Sequence, residues 1–415
     1  MQVNAIGNVS VNKTNTNIAK SKGFSRMDIS FSGNVRSKDV TSKLSKENSN
    51  LVFTANDKTT KVSINGKNID RKNILVTGAS GYIGSHTAKY LLENGYDIVT
   101  IDNYTLGNKD ANKELKKIAK ENGAKFKSYS VDIADSKGVG KIFKDNKIDA
   151  VVHFAAYSQV GESVKDPYKY YLNNTAKTTM LLDEMRKANV NKIVFSSTAA
   201  TYGDPDANEI PIKESTPQKP INPYGKSKLM IENIMDDADK AYGLKSIRLR
   251  YFNVAGSATD GRLGEEHNPE THLIPNILYA AKAQAKGEGG KPFKMFGTDY
   301  PTPDGTCVRD YIHVEDLARA HGLALQKLMN GGETGFYNLG SGSGYSVKEV
   351  YETAKDVTGV DIPLVIEDKR AGDPPTLIAS NEKAKEELGW EPQKSLEDMI
   401  SSAWNWIKND KWKKH

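Results

Sequence analysis

The chain has 415 residues, 37% of them hydrophobic, and a formal charge of +6. No apolar run approaches the roughly 18 residues that a membrane span needs, so no membrane partner is expected, and the single cysteine, Cys307, excludes an intrachain disulfide or a cysteine-based metal site and favours a reducing, cytoplasmic setting. Residues 1–70 carry 11 Lys and Arg against 5 Asp and Glu, which is the whole of the excess, so the remainder is close to neutral and offers no electrostatic footprint for nucleic acid.

Residues 1–68 are rich in Asn, Ser, Thr and Lys, with scattered apolar residues and no helical or strand period. Such a segment buries too little surface to offset its chain entropy and is expected to be a disordered N-terminal extension. Its first 27 residues hold no Asp or Glu but do hold Lys13, Lys20, Lys22 and Arg26. That is compatible with a transit peptide, though the Arg-rich amphipathic pattern and the continuous apolar core of a secretory signal are both missing.

From Lys72 onward apolar runs alternate with amphipathic ones. Candidate strands are Asn73–Thr77, Ile98–Ile101, Phe126–Val131, Ala150–Phe154, Lys192–Ser197 and Ser246–Tyr251, with helical stretches such as His86–Asn94 and Thr175–Ala188 between them. The alternation predicts an α/β fold, a doubly wound parallel sheet over 69–252 with helices on both faces. After Asn253 prolines and glycines crowd into PTPDGT and GEGGKP, and residues 253–415 are expected to form mainly a smaller, substrate-side lobe.

Gly78, Gly81 and Gly84 stand between the first strand and the first helix as G-x-x-G-x-x-G. Each has a physical duty there: a tight turn, close approach of backbone to a pyrophosphate, and close packing of helix on sheet, while the helix N-terminus offers free N–H groups to phosphate. Asp102 ends the next strand at the distance expected of an acid that binds ribose hydroxyls. It is followed by Asn103 and not by Arg or Lys, so a 2′-phosphate would meet a carboxylate and NAD is favoured over NADP.

A second constellation carries the chemistry. Tyr224 and Lys228 in NPYGKSK lie one helical turn apart on one face, and Ser196, Ser197 and Thr198 close a strand upstream. A phenol with an ordinary pKa of about 10 is a poor base; a neighbouring ammonium and a positive nicotinamide would stabilise its phenolate and make it a working acid/base.

The segments TGASGYIGSHT, HFAAYSQVGESVKDPYKYYLNN, FSSTAATYG, NPYGKSKLMIE, RYFNVAG, DYPTPDGTCVRDYIHVEDLA, FYNLGSGSGYSV and RAGDPP together resemble the extended short-chain dehydrogenase/reductase family and, within it, the UDP-glucose 4-epimerases. The resemblance implies a Rossmann-type NAD-binding domain that also receives part of 308–340, and a C-terminal lobe for a UDP-sugar. It implies interconversion of UDP-glucose and UDP-galactose, in which hydride leaves C4 for bound NAD, the 4-keto sugar turns about its diphosphate link, and the hydride returns to the other face. Tyr224 would take the proton of the 4-hydroxyl, Thr198 would bridge tyrosine and sugar, and Lys228 would hold the nicotinamide ribose and lower the pKa of Tyr224.

By the same comparison Tyr82 and Ile83 would lie along the pyrophosphate, Asp132 and Ile133 would flank the adenine, and Phe154, Ala155, Ala156 and Asn173 would line the cofactor channel with Phe252 near the nicotinamide. Asn103, Gly107 and Ser196 complete the cofactor set. Asn253, His272, Phe296, Arg309, Tyr311, Arg370 and Asp373 match positions that hold UDP or the sugar, arginine suiting a diphosphate through its planar fork of donors. His313 is read as structural. Three positions depart from part of the family. Ser158 stands where some members have a lysine near the cofactor phosphates, Thr198 where many have serine, and Leu377 where side-chain size is thought to decide whether an N-acetyl group fits, which leaves acceptance of UDP-N-acetylglucosamine open. Other nucleotide-sugar enzymes of the fold remain alternatives, among them UDP-N-acetylglucosamine or UDP-pentose 4-epimerases. A 4,6-dehydratase lacks support because Ala199 and Ala200, not an Asp-Glu pair, follow Thr198, and a non-catalytic NAD-binding protein had no need to keep Tyr224 and Lys228. The family also implies a homodimer packing the helices near 175–190 and 224–240.

Overall fold

A computed structural model describes residues 71–370 and 373–409 in full and, before them, the backbone of five short strands. The chain divides into two units, Met1–Arg71 and Lys72–His415. In the first, Val9–Lys13 pairs antiparallel with Met27–Phe31, and Leu51–Asn56, Thr59–Ile64 and Lys67–Asn68 form an antiparallel meander. The sequence pattern predicts no strands here. β-branched residues such as Thr59, Thr60, Val62 and Ile64 favour extended backbone even where apolar alternation is weak. The expected disorder of the rest of residues 1–68 lies outside the described residues.

The second unit is built on seven parallel strands: β1 (Asn73–Thr77), β2 (Asp97–Asp102), β3 (Phe126–Ser130), β4 (Ala150–His153), β5 (Lys192–Ser196), β6 (Lys245–Tyr251) and β7 (Gly335–Leu339). Their order is β7-β6-β5-β4-β1-β2-β3, a Rossmann sheet. Every residue of β2 and β4, and all but the first of β1, is buried, because helices cover both faces and leave no polar side to alternate. On one face pack α1 (Tyr82–Glu93), α2 (Lys109–Glu121) and α7 (Val314–Met329), through Leu91, Leu115 and Leu325 against Ile74, Val152 and Ile247. On the other pack α3 (Ser136–Asn146), α4 (Lys177–Lys187) and α5 (Pro223–Tyr242), through Phe143, Leu181 and Met235 against Leu75, Val151 and Ile193.

The chain passes from β1 to β2 on one side and comes back to place β4 on the other, so the carboxyl ends of β1 and β4 border the crevice where such sheets bind ligands. Six strands fall within a residue or so of their predicted bounds. The seventh, β7, escapes the sequence pattern because its buried fourth residue is polar: Asn338 accepts from the Tyr202 hydroxyl at 2.7 Å and donates to the Ile212 carbonyl at 3.0 Å.

A third core forms the C-terminal lobe. Here α6 (Leu273–Ala285), α8 (Val347–Thr358) and α9 (Leu396–Lys408) bury Leu278, Val350, Ile400 and Trp406 beside the parallel strands Phe293–Phe296 and Leu364–Glu367. Among the described residues no helix is long and apolar enough to cross a membrane.

Candidate active site

The glycine turn meets its steric demands one by one. Gly78 has φ +68°, and a Cβ there would come 2.7 Å from the Ala155 nitrogen at the end of β4; a Cβ on Gly84 would lie 2.2 Å from the Gly78 carbonyl oxygen. At Gly78 and Gly84 the turn is therefore closed on itself and on the crevice wall, with no room for a side chain at either position. Gly81 caps α1 without a side-chain hydrogen bond, and the first turn holds no acidic residue, so the helix N-terminus keeps its donors for an anion. Asp102, buried at the end of β2, accepts N–H bonds from Ser80 (2.9 Å) and Tyr104 (2.8 Å), one on each oxygen. A carboxylate has about four acceptor sites, so capacity remains for two ribose hydroxyls. Gly107 lets the following loop close over it, since a Cβ there would meet Asp102 Oδ1 at 2.9 Å. These residues fit NAD.

Other expected cofactor contacts are placed less uniformly. Asn103 donates to Asp132 at 2.9 Å, and Asp132 also pairs with Lys177 at 2.6 Å. Ile133 is buried in the core under α3 and Ser158 is exposed. Tyr82 sends its hydroxyl 2.6 Å to the Gly256 carbonyl, so only its main chain stays at the helix N-terminus, where Ile83 follows it. Phe154 packs on His321, ring centroids 4.7 Å apart, and Ala155 and Ala156 continue the half-buried wall. Asn173 is half-buried and bonds its neighbour Asn174, the residue that sequence reasoning misses: the Asn174 amide brackets the N–H and carbonyl of Tyr157, each at 2.9 Å, and donates to Ser227 Oγ at 3.1 Å. One buried amide thus ties the loop after β4 to α5.

The start of α5 sets the catalytic pair. Asn222 caps it, Pro223 occupies its first turn, and Gly225 allows the helix to press on the turn after Thr198, where a Cβ would lie 2.3 Å from the Ala200 carbonyl oxygen. Tyr224, Lys228 and Thr198 are all buried. Burial pushes the Tyr224 phenol up to about 12, with a hydrogen bond to Thr198 opposing. Burial pushes the Lys228 ammonium down to about 7, with the Glu232 charge opposing. Lys228 Nζ donates to the Ser196 carbonyl at 2.8 Å and lies 4.8 Å above the Phe195 ring. Desolvation thus dominates both groups, and the lysine binds main chain.

Behind this pair lies an ion pair absent from the sequence reading. Arg250 on β6 meets Glu232, one turn beyond Lys228, at 2.5 Å, and both are almost wholly buried. Glu232 also accepts from Ser197 Oγ at 2.5 Å and Gln218 at 3.2 Å, and Arg250 donates to the Tyr202 hydroxyl at 2.9 Å. Every charge is hydrogen-bonded, as a buried pair requires. The network fixes α5 against the residue preceding Thr198.

In the lobe, the strand Val308–Arg309 runs between Tyr345–Ser346 and Thr376–Leu377, which sets Arg309 opposite Leu377. Arg309 forms an ion pair with Asp373, and the Arg370 guanidinium lies 3.9 Å over the Phe296 ring. Asn253 is exposed, donating to the Asp310 carbonyl at 3.1 Å, and its strand pairs with buried Tyr311; Phe252 ties to Leu339 just before it. His272 Nδ1 lies 2.9 Å from Glu265 and 3.0 Å from Glu270. Desolvation opposes its charge, yet Glu265 and Glu270 together raise its pKa to about 10. His313 is structural: its Nδ1 caps α7 by accepting from the Glu315 N–H at 3.0 Å, and burial holds it down at about 4.

Residues 74–340 match the model of the NAD dependent epimerase/dehydratase family. The chain is 52% identical over 336 residues to the UDP-glucose 4-epimerase of Streptococcus mutans, covering 80% of this chain and 96% of the relative. It is 50% identical over 337 residues to that of Lacticaseibacillus casei, covering 81% and 97%. Its structure matches the crystal structure of UDP-glucose 4-epimerase from Bifidobacterium longum in complex with NAD+ and UDP, with TM-score 0.74, 42% identity, and coverage of 82% of this chain and 99% of that one.

Proposed function

The chain belongs to the NAD dependent epimerase/dehydratase family, and from that premise we propose how its residues divide the work of the reaction it catalyses, the NAD-dependent interconversion of UDP-glucose and UDP-galactose. Bound NAD supplies the acceptor and donor of the C4 hydride and, when oxidised, a positive charge that favours the phenolate. Tyr224 takes the 4-hydroxyl proton and returns it. Because its phenol stands at about 12 by burial, the proton leaves readily only when positive charge enters the site, so the base is active when the oxidised cofactor is in place. Thr198 carries the hydrogen bond between tyrosine and sugar. Lys228, anchored on the Ser196 carbonyl, holds the ribose and completes the positive environment of the phenol.

Arg309, Arg370 and Asp373 grip UDP, with Phe296, Tyr311, Asn253 and Leu377 around the nucleotide and sugar. Holding the diphosphate firmly and the hexose loosely lets the 4-keto sugar present its other face. The single observation that carries this reading is the burial of Tyr224, Lys228 and Thr198 together at the carboxyl end of the sheet beside the glycine turn. Val164, Tyr168, Leu172, Met180 and Met230 are exposed apolar side chains on adjoining helices, and they support a homodimer through those helices. The setting is cytoplasmic, in keeping with a buried free thiol at Cys307. The test is to incubate the purified protein separately with UDP-galactose, UDP-N-acetylgalactosamine and UDP-arabinose and resolve the products. UDP-galactose is expected to convert; conversion of the N-acetylated or pentose sugar alone would move the substrate assignment.

A further inference from the structure

The loop between the strand Asn253–Ala255 and α6 reads Glu265-Glu-His267-Asn-Pro-Glu270-Thr-His272, and it folds four ligand-type side chains onto one point. One oxygen each of Glu265 and Glu270 and one ring nitrogen each of His267 and His272 all lie within 4.8 Å of one another. Both histidine Nδ1 atoms are 2.9 Å from the same Glu265 oxygen, His272 Nδ1 is 3.0 Å from Glu270 Oε1, and His267 Nδ1 is 3.9 Å from Glu270 Oε2. Four donors around a zinc ion at about 2.0–2.2 Å stand about 3.4 Å apart, so a set already within 4.8 Å needs only small side-chain adjustments to close on one ion.

A second observation points the same way. Glu265 is 7% and Glu270 9% exposed at the side chain, and Glu270 Oε2 has no hydrogen-bond partner although it is buried and turned toward the histidines. Two carboxylates out of water need two positive charges close by, and an unbonded buried carboxylate oxygen is costly. Two protonated imidazoles meet the charge but leave that oxygen unused. One divalent ion meets both needs.

We propose that Glu265, His267, Glu270 and His272 bind one divalent transition-metal ion, with zinc the best match. Two imidazole nitrogens with two carboxylates select a borderline ion over magnesium or calcium, which prefer all-oxygen shells. With all four positions filled by protein the site is closed and structural. It pins the loop that leads into α6 next to α1, where the Tyr82 ring stands edge-on to His267 at 6.3 Å. The ion stays outside the hydride and proton steps.

The experiment uses the untagged full chain with its bound nucleotide. It is stripped with a chelator, then titrated with Zn2+ by calorimetry and with Co2+ by visible absorption, with Mg2+ as a control. One ion per chain is expected, with proton release, the intense d–d bands of tetrahedral Co2+, a rise in Tm and no comparable response to Mg2+. His267→Ala and Glu270→Gln should each weaken Zn2+ binding by about 100-fold or more while nucleotide content is retained. Glu270→Gln carries the test should His267→Ala fail to fold. No binding to the stripped chain, or binding undiminished in the folded variants, overturns the site; neither result touches the epimerase assignment, because the readout is metal and not turnover.

Discussion

The two sides of the crevice grip in different materials. At the β1–α1 turn the proposed ligand surface is main chain: Gly78, Gly81 and Gly84 carry no side chain, and a Cβ on Gly84 would stand 2.2 Å from a carbonyl oxygen. In the lobe the proposed surface is side chain: Arg309 on Asp373, and Arg370 over Phe296. Backbone recognition fails all at once when it is disturbed, since at Gly78 and Gly84 something must shift for any atom added. Side-chain recognition degrades by degrees, because one contact is lost while its neighbours stay.

The comparison is sharpened most by Gly84→Val. Overpacking a site without slack is expected to cost at least the few kcal/mol typical of such insertions, and the purified protein should contain no NAD(H) and show no turnover. Full nucleotide content, read from the denatured protein by absorbance and chromatography, would break the claim that this turn has no room. Next is Tyr224→Phe, on the same side of the crevice but a loss of one atom with no added bulk. Turnover should fall on the order of 10²- to 10⁴-fold, with NAD content and Tm unchanged. Smaller still is Arg309→Ala in the lobe. Loss of a charge-assisted contact of roughly 1.5–3 kcal/mol should raise KM for the UDP-sugar about 10- to 100-fold and leave kcat nearly intact. An equal fall in kcat would mean that the arginine acts in the transition state and that the graded picture of the lobe is wrong.

The smallest effect concerns pH. His86, His153 and His321 are buried in the sheet unit, and burial lowers their pKa values to about 4, 3 and 4. The unfolded chain binds these protons below about 6.5 while the folded chain does not. Stability is therefore fully present above that value and is lost as pH falls toward 4. Tm should decline from pH 6.5 downward, ahead of carboxylate protonation, and His153→Gln should flatten that decline; a Tm that is level down to pH 5 would show these imidazoles to be solvated.

What the amino-acid order reveals follows the same division. The glycine turn, the aspartate closing β2, and Tyr224 and Lys228 one turn apart are local patterns, each dictated by strand, turn or helix geometry over a few residues. The parallel sheet also follows from strand and helix alternation, although its strand order and the edge strand β7 do not. The buried Glu232–Arg250 pair could not be read in this way, because a charged residue on a helix and another on a strand look like solvent-facing positions until the fold joins them. Asn174 and Asn338 hid for a related reason: each is a polar residue in a buried slot, satisfied by partners far along the chain. The burial that pushes the Tyr224 phenol up was not legible either, because charge proximity can be guessed from spacing, whereas desolvation depends on everything packed around the group. The run of Glu265, His267, Glu270 and His272 was visible as letters; only the folded loop shows four ligand atoms converging.

The central claim is that a bound nucleotide cycles while Tyr224 shuttles the proton. The most direct test follows UDP-galactose by NMR with the purified full chain and no added NAD, beside Tyr224→Phe purified with equal nucleotide content. The account predicts that the unaltered chain reaches the same UDP-glucose to UDP-galactose ratio from either sugar with no net accumulation of NADH, while Tyr224→Phe barely moves. Conversion by Tyr224→Phe at the unaltered rate, or a requirement for NAD consumed in proportion to product, would contradict it.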